Sequence, residues 1–318
     1  MLMNYIVTQV ARPEENTVPQ MQGNGITTVD KAMDVYLKNA IVSLASAKQY
    51  NPNAVCILSC NFDVPGYLRT IAERTGIQIH TVPFRKYESK EEFRWAITQY
   101  KFNAIEHVLE LMDKEDCMLV LDSDTMCTKK LDELFSEAAN SLILYPTAHS
   151  YSQEKRAEIR YNYQIMYHAD NDNLVHYGGE FFAGNKNQMQ ELLNACLCVI
   201  QCAREIEDLK PWDDEHILSI AVEKFLKGYV YPANAYIFRY WTNQFYLVST
   251  NYYYDPVCIW HLPAEKNFGM LVLYDYFVKH GYFPNVKKSA KIVGFPSIQY
   301  KAWNPYRWKM RIKNKLMK

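Results

Sequence analysis

Residues 117–127 read CMLVLDSDTMC, an apolar run that ends in two carboxylates one residue apart. The apolar residues 118–121 have the character of a strand buried on both faces of a parallel sheet. Side chains two apart on an extended chain point the same way, so Asp122 and Asp124 converge just past the strand's carboxyl end. Two like charges placed together there repel unless something positive sits between them. A divalent metal ion is the natural candidate, because open α/β sheets take their ligands at that edge.

The surroundings agree with a strand in that place. Upstream, the patterns predict strands over 5–10, 54–60 and 77–82, alternating with helices over 29–49, 66–75 and 91–112. Downstream come a short helix over 130–139 and a strand over 141–145. A polar tract over 147–173 with one helix follows. HYGGEFFAGNK (176–186) then predicts a short strand leading into a helix that carries Cys196, Cys198 and Cys202. WDDEHILSIAVEKF (212–225) predicts a further helix, and short aromatic strands end at CIWHLPAEKNFG (258–269). This alternation predicts an α/β fold, a mostly parallel sheet with helices on both faces.

Composition narrows the class. At 49% hydrophobic and 22% charged, the 318 residues suit a soluble protein with a substantial core. No run of 18 apolar residues predicts a membrane span, and the N-terminus lacks the pattern of a signal peptide. The eight cysteines follow no disulfide or zinc spacing, which predicts core packing in a reducing, cytoplasmic compartment. The 25 tyrosines and six tryptophans suit sugar faces and equally suit a tyrosine-rich core.

Zero net charge conceals an asymmetry: eleven Lys and Arg but no Asp or Glu follow Asp275, so residues 1–275 carry −11 and 276–318 carry +11. The chain therefore divides into an acidic α/β domain over 1–275, the part that carries the motifs below, and a basic, aromatic C-terminal segment over 276–318. Trp303, Tyr306 and Trp308 lie among seven Lys and Arg at its end, which suits an anionic membrane surface. No nucleic-acid-binding motif accompanies the charge.

Three further groups carry chemistry. Asp124 stands too far from residue 130 to cap the helix there. Gly178 and Gly179 allow a backbone to approach a sugar closely, or make a bulge. Asp213, Asp214 and Glu215 exceed what capping one helix requires. DxD after an apolar strand also marks haloacid-dehalogenase-type phosphatases, with Asp122 as nucleophile. There the motif opens the domain and a Thr or Val stands where this chain has Met126.

In order and spacing the motifs resemble GT-A-fold retaining glycosyltransferases. FRWAITQYKFNAIEHVLEL…MLVLDSD, HYGGEFFAGNKNQMQELLNAC and WDDEH are similar to the histo-blood-group A/B and α-1,3-galactosyltransferase family. IVTQVA, YLKNAIVSLASA and HLPAEKNFG resemble the glycogenin and lipopolysaccharide galactosyltransferase family. The resemblance implies Mn2+ or Mg2+ on Asp122, Asp124 and His261. It also implies a UDP-sugar donor whose diphosphate meets Lys266, with Ser123 and Gly269 also in the donor site. Glu215 falls where that family faces the anomeric carbon, and Asp214 where it contacts sugar hydroxyls. His176, Gly178, Gly179, Glu180 and Trp212 fall along the sugar site. Thr8 and Gln9, at the end of the first strand, are expected at the nucleoside. The family's arginine before DxD has no clear counterpart, Arg94 and Lys101 being the nearest basic residues.

The expected activity is transfer of a hexose to a carbohydrate or lipid-linked glycan acceptor, with retention, in surface polysaccharide synthesis. A phosphatase and a non-catalytic carbohydrate-binding protein are the alternatives.

Overall fold

The computed structural model describes residues 2–13, 28–84, 87, 96–147, 152–169, 171–242, 257–295 and 312. Arg94 and the aromatic, basic run over 301–318, apart from Ile312, lie outside the described residues. The chain opens with β1 (Asn4–Val10), α1 (Val29–Tyr50), β2 (Val55–Cys60), α2 (Gly66–Thr75), β3 (Ile77–Thr81), α3 (Tyr100–Leu111) and β4 (Cys117–Leu121). This is the expected alternation, with α3 shorter than its pattern because a 3-10 turn over Ala96–Gln99 precedes it.

The second half contains β5 (Thr125–Cys127), α4 (Asp132–Ala138), β6 (Leu142–Pro146), α5 (Ser152–Tyr167), β7 (Tyr177–Asn185), α6 (Lys186–Arg204) and α7 (Asp214–Ala221). β8 (Val230–Pro232), β9 (Ile237–Arg239), β10 (Ile259–His261), α8 (Gly269–His280) and α9 (Val286–Ile292) follow. Among the described residues the main sheet has seven strands in the order β3-β2-β1-β4-β7-β6-β8. Pairing is parallel from β3 to β4, but β7 runs antiparallel to both β4 and β6. The α/β class is as expected, while the sheet is mixed.

Alternation along the strands builds a core on each face. Ile6, Leu119 and Leu121 point to one side with α1, α2 and α8, whereas Val7, Met118 and Val120 point to the other with α3, α6 and α7. α8 packs on α1 and passes residue 275 without a break, so the change in charge falls inside a helix.

One buried polar strip positions the site. Asn39, Ser43 and Ser46 lie on one face of α1, all fully buried. Ser43 Oγ lies 2.7 Å from Thr125 Oγ1, and Ser46 Oγ accepts from the Cys127 N–H at 2.9 Å. Asn39 donates to the Lys266 carbonyl at 3.0 Å. Those bonds hold the chain after Asp124 as β5, which pairs antiparallel with β10 and sets His261 opposite Thr125.

Candidate active site

Asp122 and Asp124 sit just beyond β4 at the sheet's carboxyl edge, as their spacing predicted. The Asp122 N–H donates to the Glu180 carbonyl at 3.1 Å, which fixes this turn against β7. β10 brings in the third group: one oxygen of each Asp and one nitrogen of His261 lie within 4.8 Å of one another. His261 Nε2 is 3.3 Å from Asp124 Oδ2, and Lys266 Nζ is 2.7 Å from the same oxygen.

The donor set fits a hard divalent cation: two carboxylates and an imidazole whose other nitrogen is held by a carboxylate, with Glu180 Oε1 3.0 Å from Nδ1. Charge balance points the same way. Around the edge Asp122, Asp124, Glu180, Asp213, Asp214 and Glu215 face Lys101, Lys155, Arg239 and Lys266. The six carboxylates outnumber these four Lys and Arg side chains, with His176, His216 and His261 beside them.

These partners shift the ionisations. Burial opposes charging of His261, but Asp124 and Glu180 outweigh it and push its pKa up to about 9. Asp124 is also opposed by burial, and Lys266 and His261 hold it well below the usual carboxylate range. Asp122 moves the other way, raised first by lost hydration and then by Asp124, against the pull of Lys101.

Lys101 on α3 is nearly fully buried and ties the two acidic motifs together. Its Nζ lies 3.2 Å from Asp122 Oδ1 and 2.5 Å from Asp214 Oδ2, and it donates to the Gly179 carbonyl. Burial would lower its pKa, yet the two carboxylates raise it above the ordinary lysine value.

WDDEH divides its labour. Asp213 is the cap of α7, its Oδ1 accepting from the Glu215 and His216 N–H groups at 3.1 and 3.2 Å. Asp214 meets Lys101. Glu215 is ringed by cations and donors: Arg239 Nη2 at 2.7 Å, Lys155 Nζ at 2.6 Å and His176 Nε2 at 2.9 Å. Burial opposes its ionisation, but Arg239 and Lys155 hold its pKa well below the carboxylate range.

Lys155 and Arg239 did not emerge from the sequence. Lys155 lies on α5 in the polar tract over 147–173, and Arg239 lies in a three-residue strand. No local pattern marks either one.

Several of the residues expected at the ligand also have structural contacts. Gly178 and Gly179 face a filled interior: a Cβ at Gly178 would strike Glu180 and Arg239, and one at Gly179 would strike Asp214 and Lys101. Glu180 is fully buried and held by Arg239, with Nε 2.6 Å from Oε1. Thr8 is fully buried with its hydroxyl 3.3 Å from Ser43, whereas Gln9 Nε2 reaches Asp122 Oδ1 at 3.4 Å. Trp212 sits in the core beside α7. A Cβ at Gly269 would meet the Val293 backbone at 2.8 Å, so that glycine lets α8 pack on α9. Ser123 is buried between the two aspartates.

No protein-family model and no curated protein matches the chain. Among solved structures it is similar to the galactosyltransferase LgtC in complex with donor and acceptor sugar analogues, at 15% identity over 81% of this chain and 86% of that one, with a TM-score of 0.48. An active-site mutant of LgtC is similar at 16% identity over the same shares, again with a TM-score of 0.48. A likeness of that degree decides neither substrate nor chemistry.

Proposed function

We propose that this chain is a metal-dependent glycosyltransferase. It would move a hexose from a nucleotide sugar, a UDP-sugar by the resemblance of its motifs, to a carbohydrate or lipid-linked glycan acceptor. The observation that carries this reading is the meeting of Asp122, Asp124 and His261 within 4.8 Å at the carboxyl edge of the sheet, beside Lys266. Asp122, Asp124 and His261 would hold Mn2+ or Mg2+, which neutralises a departing diphosphate. Lys266 would then turn from Asp124 to that diphosphate, and Gln9 would face the nucleoside side.

On the sugar side, Lys101 would hold Asp214 in place for the hydroxyls. Glu215 is ionised far below neutral pH, which makes it a weak general base but a good partner for positive charge growing at the anomeric carbon. That supports retention over inversion. A surface-polysaccharide precursor on a lipid carrier would suit the acid-free C-terminal segment. Among the described residues no helix is long and apolar enough to cross a membrane.

A thermal-shift panel of nucleotide sugars, with and without Mn2+, tests the reading, because ligands that bind the folded state raise its melting temperature. Stabilisation by a nucleotide sugar only when Mn2+ is present is expected. Stabilisation by phosphate esters with no response to any nucleotide sugar would favour a phosphatase. Product NMR then reads the anomer.

A further inference from the structure

Arg239 is a second cation, besides Lys101, on which the two halves of the site meet. Its Nε lies 2.6 Å from Glu180 Oε1, and its Nη2 reaches both Glu180 Oε2 and, at 2.7 Å, Glu215 Oε1. Glu180 Oε1 also lies 3.0 Å from His261 Nδ1, which leaves Nε2 facing Asp124. An unbroken chain of charged groups therefore runs from Glu215 through Arg239, Glu180 and His261 to Asp124. The backbone is cut to fit it, since a Cβ at Gly178 would strike the Glu180 carboxylate and the Arg239 guanidinium together.

We propose that Arg239 is a positioning residue that couples His261 to Glu215, so that the hold on an ion at one end depends on the carboxylate at the other. This rests on the reading of Asp122, Asp124 and His261 as metal ligands. A guanidinium is a rigid planar fork, so it cannot follow Glu215 without changing its grip on Glu180. Glu180, as the outer partner of the imidazole, sets the orientation and basicity of that ring. A lysine at 239 keeps the charge but cannot serve both carboxylates with fixed geometry.

The test is a double-mutant cycle read as Mn2+ affinity by calorimetry on the full chain, with no sugar present. Glu180→Gln is expected to weaken Mn2+ binding by about 10- to 100-fold, as loss of an outer partner does. Glu215→Gln is expected to weaken it about fivefold, although Glu215 is not among the groups gathered at the ion site, and Arg239→Lys should erase that response. The double variant then binds as Arg239→Lys alone does. If Glu215→Gln does not fold, Glu215→Asp takes its place in the cycle. Single effects that multiply to within about twofold would overturn the coupling and leave the metal reading standing. Absence of Mn2+ binding by the unmodified chain would overturn both.

Discussion

Lys101 and Asp214 form a buried ion pair 2.5 Å long that joins the helix before the DSD strand to the helix opened by WDDE. Because the same ammonium reaches Asp122, one cation neutralises two acidic motifs that lie far apart in the sequence. Removing one partner of such a buried group costs more than the pair contributes, since the remaining charges stay desolvated. Lys101→Met should therefore lower the unfolding free energy by about 3–5 kcal/mol in urea titration. A loss below about 1 kcal/mol would show that water reaches these carboxylates more freely than their burial implies.

The glycine pair supplies the second prediction. Gly179→Ala places a methyl group against Asp214 and Lys101, and the backbone there belongs to a strand paired on both sides. Overpacking of this kind costs about 1–3 kcal/mol, and here it also parts an ion pair. A clear fall in melting temperature is expected, with Gly66→Ala as the control because nothing lies within 4 Å of a Cβ there. Equal stability of both variants would argue that β7 shifts easily, as an open, ligand-facing strand would.

Acid stability should carry the signature of Asp213. Burial would raise its pKa, but the His216 hydrogen bond and Lys155 together bring it down to about 2. A carboxyl depressed on folding stabilises the protein above its unfolded pKa, and that contribution fades as pH falls toward the folded value. Between about pH 4 and pH 2 the folded chain should lose up to about 2 kcal/mol through this group, and Asp213→Asn should flatten that part of the stability curve. Parallel pH curves for both proteins would remove Asp213 as a contributor.

A fourth prediction concerns the acid-free end. The described part already presents Lys279, Lys287, Lys288 and Lys291 on the surface. Lys288 Nζ lies 4.5 Å from the Tyr276 ring, which in turn meets His280 at 4.3 Å and Tyr282 edge-on at 6.0 Å. Basic residues near an anionic bilayer each add on the order of 1 kcal/mol, and aromatic rings favour its headgroup zone. Full-length protein should co-sediment with anionic vesicles at low salt and a chain stopped after Lys301 should do so much less. Negligible binding by both would withdraw the membrane surface as a partner.

The first half of the fold was legible because its strands are short apolar runs and its helices have strong periodicity. Thr125–Cys127 was not, since three residues directly after DSD show no alternation, and what holds them as a strand is distant in sequence: β10 beside them and Ser43 and Ser46 on α1. Antiparallel β7 was hidden for a related reason: a strand buried on both faces looks alike in either direction. In the site, Asp122, Asp124 and the WDDE block announced themselves by local spacing. Arg239 and Lys155 did not, because their meaning comes from partners brought together by β9 and α5. Gly178 and Gly179 stood out in the sequence, but whether they cleared space for a sugar or for carboxylates depended on what lies across from them.

Calorimetry of UDP binding, with and without Mn2+, tests the central claim most directly when the unmodified chain is compared with Asp122→Ala and Asp124→Ala. We expect UDP binding that depends on Mn2+ in the unmodified chain and is lost in both variants, each still folded by circular dichroism. Unchanged Mn2+-dependent affinity in both variants, or UDP binding indifferent to Mn2+ in all three proteins, would contradict the assignment of these carboxylates to a metal-held nucleotide site.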